Sequence, residues 1–487
     1  MAQSRAPYVQ TNESKRIPFA LNPLQRSGTV SKDAQLVNMM VDVVKGPKEP
    51  QIYVKSRAGL SVVYNTATGE GRGLHDWVVN GTHNAIAVVG NKIYTNGVAL
   101  STTLAGSTGG VGFCEHVAST GVVTLVMVDG TDGYVFTAPA VAPTKITDVN
   151  FPTPHIPSVV FMDGYVFVAK ANSEDIYNCA LDTPLIWTVT GSPMFISAEM
   201  YPDMIVGLAK NNNYVYAVGR TSVEYFYDAG TATGSPLARQ APAVQQFGSA
   251  AQGSIVQTET EVLMVGDTVN GGKTIWSIDG FKSKEIATTP IRSILNAEAG
   301  SIASANAYCV RVSGQKCYVI VLSSRTIVYC FDTEMWSEWN SGATGGTRFL
   351  GFHGDDGPNG TPYLLDASNG KVYTMSEFVF TDAGTAFQCQ IITEKQDFGT
   401  FNRKTCSRLS VVGDVPDDNG VYNNVSVSWS DDDYKTWVTD RTLVLNGTDP
   451  YITQLGSFRR RAFRFKYNQP ALFRVEAFEV DINKGSQ

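Results

Sequence analysis

The chain has 487 residues, 43% of them hydrophobic and only 17% charged, with a formal net charge of −7. That length holds two or three domains, or one large domain with a real core. The acidic balance disfavours a protein that grips nucleic acid by its phosphates, but does not exclude one that lets DNA slide past a weakly repelling wall. The seven cysteines (Cys114, Cys179, Cys309, Cys317, Cys330, Cys389 and Cys406) form no CxxC pair. Their odd number and irregular spacing predict buried thiols rather than a disulfide framework. The opening Met1-Ala-Gln-Ser-Arg-Ala-Pro7 has no apolar run, so no signal peptide is expected. No stretch approaches the roughly 18 apolar residues of a membrane span.

Residues 1–30 are polar, contain Pro7, Pro18 and Pro23, and follow no clear period. They read as an extended arm that orders against a partner. Residues 34–45 read as a strand, ended by the Gly46-Pro47-Lys48-Glu49-Pro50 loop. Together, residues 1–65 form an N-terminal arm and strand.

From about residue 66, short alternating apolar runs are punctuated by Asn-Gly and Asp-Gly, twelve such steps over the whole chain. Both residues of such a pair accept φ > 0, as a type I′ hairpin requires. Val159-Val160-Phe161-Met162 runs into Asp163-Gly164, and Tyr165-Val166-Phe167-Val168 runs out. Asn369-Gly370 repeats the pattern between Tyr363-Leu364-Leu365 and Val372-Tyr373. Other units close on an Asp followed by a Trp, as in Asp182…Trp187 and Asp332…Trp336. The recurrence predicts antiparallel meanders arranged as a β-propeller over residues 66–385. At about 40–50 residues per blade this makes six or seven blades. One segment breaks the pattern. Pro290-Ile291…Ile294-Leu295 has helical spacing, opens on Pro and stops before Gly300, predicting a short helix inserted between blades.

After residue 386 the strands lengthen and cations cluster. In Arg459-Arg460-Arg461-Ala462-Phe463-Arg464-Phe465-Lys466-Tyr467, aromatics and cations alternate from Phe463 onward, predicting a strand with one apolar and one basic face. Residues 386–487 read as a C-terminal β-sandwich platform. The fold class expected is therefore all-β: a six- or seven-bladed propeller plus a sandwich platform joined by the N-terminal segment.

Catalytic signals are sparse. No G-x-S-x-G and no HExxH occur. Gly69-Glu-Gly71-Arg-Gly73 lacks the Lys-Ser/Thr of a phosphate loop and reads as a turn. His75 and His83 flank one hairpin, and a metal pair there is weighed against plain loop histidines. Asp355-Asp356 and Asp431-Asp432-Asp433 lack calcium-loop spacing and read as solvated turn acids. Ser430-Asp-Asp432-Asp-Tyr434-Lys-Thr436-Trp437 resembles the Asp-box of sialidases and related propellers, with Tyr434 in place of Gly. It supports, as the alternative function, a glycan-binding or sialidase-like propeller. Arg459, Arg460, Arg461, Arg464 and Lys466 are the candidate contacts to a ring partner or to DNA phosphates, since Arg forks carboxylate and phosphate alike. No cofactor or metal site and no enzymatic activity is expected.

The segment Arg220-Thr-Ser-Val-Glu224-Tyr225-Phe226, its Gly/Ala/Thr loop to Arg239, Gln245-Gln246-Phe247-Gly248 and Gly253 resemble the tail-hub, or packaged-DNA stabilisation, proteins of short-tailed bacteriophages, and more distantly the tail nozzle. Leu36-Val37-Asn38-Met39-Met40-Val41, Gly59-Leu60 and Ala180-Leu181-Asp182…Trp187 add to the likeness. The resemblance implies a virion protein assembled in the host bacterial cytoplasm. It implies a homo-hexameric propeller ring below the portal and the adaptor ring. Genomic double-stranded DNA would pass through its channel without sequence-specific binding. Tail fibres, tailspikes or a plugging needle would attach to it.

Overall fold

Alternating apolar runs joined by left-handed turns make hairpins, and the computed structural model is built almost wholly of them. It describes residues 12–19, 35–44, 51–189, 192–231, 234–268, 270, 272–417, 420–446 and 450–485. The chain divides into two compact units, one of residues 60–327 and 349–376, the other of residues 1–59, 328–348 and 377–487. The segment 328–348, within the stretch read as propeller, thus groups with both chain ends.

The first unit is a β-propeller. Among the described residues its strands form seven blade sheets, beside one two-stranded ribbon of Thr188–Val189 with Ser192–Pro193, which settles the open blade count. The first blade is Gly71–Val79, Thr82–Val89, Lys92–Thr95 and Val98–Thr103. The next four begin at Gly112–Val117, His155–Met162, Ile205–Asn211 and Phe247–Ser249. The sixth opens with the hairpin of Asn306–Val312 and Gln315–Val321. The seventh contains Gly351–Asp355, Tyr363–Asp366 and Lys371–Ser376, and takes its fourth strand from Gly59–Asn65, ahead of the first blade in sequence. Strands from both ends of the unit therefore complete one sheet and close the circle. Consecutive blades contact one another around the whole ring, the seventh meeting the first. Apolar residues fill the seams. Trp77, Ile86, Leu125 and Phe136 join the first blade to the second, and Leu74, Tyr94, Leu365 and Val372 join it to the seventh.

The turn chemistry follows the sequence at Asn80-Gly81, Asn96-Gly97 and Asp163-Gly164, where both residues have positive φ. At Asn369-Gly370 only the glycine does, with φ 69°. There Asp366 Oδ1 accepts the backbone N–H groups of Ser368 and Asn369, and so shapes a longer loop than the type I′ turn expected. The helix forms at Thr289–Ala297 and buries Pro290, Ile291, Ile294 and Leu295.

The second unit is a two-sheet sandwich. One sheet runs Met39–Val44, Gln51–Ser56, Arg474–Lys484, Lys404–Gly413 and Tyr451–Thr453. The other includes Met335–Ser341, Gln35–Val37, Cys389–Ile392, Ala462–Tyr467, Asn424–Ser430 and Arg441–Val444. Phe463 and Phe465 from one sheet and Phe478 from the other meet in its core. The single strand expected over 34–45 is two, broken at Asn38 with φ 54°. Within the segment read as an arm, Asn12–Pro18 instead pairs with Arg474–Lys484 of the same chain. Phe19 is buried against Phe465 and Phe478, so apolar burial holds this stretch without a partner. The rest of the expected arm, the 46–50 loop and the Asn-Gly steps at 419 and 446 lie wholly or partly outside the described residues.

Candidate functional site

The first strands of the blades surround an axial cavity of about 620 Å³, lined among others by Arg72, Ser158, Gln252, Asn306, Tyr308 and His353. These strands lie close together. A Cβ on Gly112 would stand 2.7 Å from the carbonyl oxygen of Pro157 in the next blade. Polar side chains stitch the ring around the cavity. The buried Arg72 guanidinium donates to the carbonyls of Gly90, Gly106 and Gly109. His353 is half-buried, and desolvation lowers it to about 4, which keeps it neutral. Its Nε2 donates to the Gly71 carbonyl at 3.0 Å, and its Nδ1 accepts from Asn306 Nδ2 at 3.0 Å. One neutral ring thus spans the sixth, seventh and first blades.

His75 does the same with charge. Its Nδ1 lies 2.9 Å from Asp355 Oδ2 in the seventh blade and its Nε2 lies 3.4 Å from Glu115 in the second. Burial alone would lower this imidazole. The hydrogen bonds and charges of Asp355 and Glu115 outweigh burial and push it up to about 9. His83 turns instead to Asp76, 2.5 Å away. The two histidines weighed as a metal pair therefore serve different carboxylates. Asp355 also accepts the Asp76 N–H, and Asp356 the Arg311 N–H, so the acids read as solvated cap backbone across blades.

In the sandwich, the Asp-box segment forms the hairpin that its sequence foretells. Ser430 Oγ donates to Asp432 Oδ1 and accepts the Tyr434 N–H, while Asp432 accepts both the N–H and the hydroxyl of Thr436. The Thr436 bonds hold the Asp432 carboxyl down at about 2. Tyr434, where the motif has Gly, adopts φ 65°, and its buried ring carries a hydroxyl that donates to the Thr393 carbonyl.

The five cations separate. Arg461 leaves the contact set: it is 1% exposed, forks both oxygens of Asp431 at 2.7 Å and lies 4.3 Å from the Phe458 ring centroid. It anchors the Asp-box hairpin from within. Arg464 and Lys466 do alternate with buried Phe463, Phe465 and Tyr467, and both reach Asp440, at 3.3 and 3.1 Å. Arg459 and Arg460 remain exposed, beside Phe401. Sequence alone missed Phe401, because Phe398 and Phe401 stand in a loop without strand period, where an exposed ring looks the same as a buried one.

A family described as bacteriophage P22 Gp10, beta-propeller, matches residues 25–357. A comparison with curated proteins returns no match. Among solved structures, the GH74 enzyme of Niastella koreensis is similar at a TM-score of 0.39 and 13% identity, covering 64% of this chain and 44% of that one. This chain thus spans less than half of that enzyme's length, and the likeness bears on no function.

Proposed function

Since the chain belongs to the bacteriophage P22 Gp10 β-propeller family, we propose that it is a structural tail protein of a phage virion, the hub or nozzle ring below portal and adaptor. In this reading six copies enclose the DNA path and retain the packaged genome until ejection. The membership over residues 25–357 carries the proposal.

In this reading the DNA path runs between copies, not along the axis of one propeller, whose cavity is only about 620 Å³. The sandwich unit would contact neighbouring copies and the adaptor. Fibres, spikes or a plug would attach to the finished ring, after assembly in the host bacterial cytoplasm. Nothing in this role calls for catalysis.

Virions made without the protein are expected to lack the distal tail and to lose DNA from filled heads, as seen by negative-stain imaging and genome quantification. Complete tails with retained DNA would overturn the reading. The non-catalytic part is tested separately. Blank glycan arrays and sialidase assays are expected, and turnover would restore the glycan alternative.

A further inference from the structure

The formal charge is unevenly divided. The propeller unit holds 15 Lys and Arg against 23 Asp and Glu, whereas the sandwich unit holds 23 against 22. The whole acidic excess is thus on the propeller. Within the sandwich, cations gather around one exposed aromatic. Phe401 is 62% exposed, and the guanidinium carbons of Arg459 and Arg460 lie 5.5 and 5.8 Å from its ring centroid. Arg459 Nη1 donates to the Phe401 carbonyl at 2.9 Å, which fixes the loop beneath it. Arg403, exposed beside them, donates through Nε to Ser457 Oγ at 3.0 Å. Lys404 lies buried below, with its ammonium on the carbonyls of Thr400 and Asn402. Burial lowers Lys404; the Asp397 carboxylate opposes that shift, and the positive charges of Lys484 and Arg459 add to it.

Three acids lie nearby: exposed Asp397, which accepts the Gly399 N–H and acts on Lys404, then Asp433 and Glu13. Asp433 serves Lys395 at 2.7 Å and stands 3.7 Å from Arg460, while Glu13 serves Lys484 and Lys15. Three arginines therefore leave most of their donor capacity facing water. An Arg fork matches phosphate oxygens, and an exposed ring keeps two guanidinium groups splayed beside it. Both flank the same ring, so they are close enough to meet neighbouring phosphates of one strand.

We propose that Arg459 and Arg460, which flank Phe401, together with exposed Arg403 two residues along the chain, form a sequence-independent contact for the phosphates of duplex DNA. The proposal rests on the DNA-conduit reading and gives it a point of contact. It reconciles an acidic chain with DNA: the propeller repels the duplex and this patch holds it.

The test uses the full chain and a short fluorescein-labelled duplex, with anisotropy read from about 50 to 200 mM salt. Affinity is expected to fall steeply with salt. R459S/R460S is expected to weaken binding and to flatten the log–log slope by about two, one unit per lost phosphate contact. R459K/R460K keeps the charge and is expected to keep the slope, and so controls for folding. K282S/K284S removes the same charge from exposed residues of the propeller and is expected to change nothing. The proposal is overturned if wild type shows no salt-dependent binding, or if R459S/R460S keeps the wild-type slope. It is also overturned if poly-glutamate binds more tightly than the duplex, which would assign the patch to an acidic protein. None of these results depends on whether tails assemble, so the conduit reading stands or falls separately.

Discussion

Tyr434 holds a backbone position suited to glycine, with φ 65°, yet its ring is buried and its hydroxyl is bonded. A left-handed non-glycine residue costs about 1–2 kcal/mol, whereas losing a buried aromatic costs about 3–5 kcal/mol. Packing wins, so Tyr434→Gly, which would restore the Asp-box consensus, is expected to destabilise the protein by about 2 kcal/mol or more in urea titrations. His75 makes a prediction with a definite sign. Its folded value, about 9, lies above the ordinary 6.5. The stability it contributes is therefore fully present below pH 6.5 and is lost as the pH rises through 9. Wild type should melt above His75→Gln at neutral pH, and the gap should close by about pH 10. A constant gap would show that the imidazole acts only by packing.

At the scale of elements, hairpins differ in what surrounds them. Gly164 has φ 85°, and a Cβ there would stand 2.7 Å from Leu181 Cδ1. Gly81 has φ 76° with nothing within 4 Å. Both Ala substitutions incur the left-handed strain of about 1–2 kcal/mol. Gly164→Ala adds a clash, and its melting temperature should fall further than that of Gly81→Ala. Many such turns were legible from Asn-Gly and Asp-Gly, because local sterics decide them. Ser313-Gly314 and Ala383-Gly384 adopt the same pair of positive angles without the favoured first residue, and composition did not mark them. The helix at Thr289–Ala297 was legible for a similar reason: Pro, spacing and Gly are all local signals. Arg461 was not. A run of three arginines looks uniform in sequence, and only the fold shows that Asp431 and Phe458 enclose the third.

At the scale of the molecule, distant segments meet around buried charge. Arg57 is fully buried, forks Asp382 at 2.6 and 3.0 Å, donates to Asn38 Oδ1 and to the Asn340 carbonyl, and lies 4.0 Å from the Phe387 ring centroid. Ser341 donates to the same carboxylate. Removing one partner strands the other without compensation, so Asp382→Ala should cost about 3–5 kcal/mol. Calorimetry is expected to show the lowest melting transition shifted down. A double change of Arg57 and Asp382 to apolar residues should recover much of the loss. This cluster joins residues 38–57, 340–341 and 382–387, which is why 328–348 groups with the chain ends.

The sequence by itself determined the all-β class, the hairpin rhythm, the inserted helix, the alternation of the basic strand and the family likeness. Each of these depends on neighbouring residues or on their order along the chain. Tertiary structure decided that there are seven blades, that Gly59–Asn65 completes the last of them, and that Asn12–Pro18 is a strand. It also decided which arginines are buried and which face water beside Phe401. Those outcomes rest on contacts between residues tens to hundreds of positions apart, where burial and pairing outweigh the local signal.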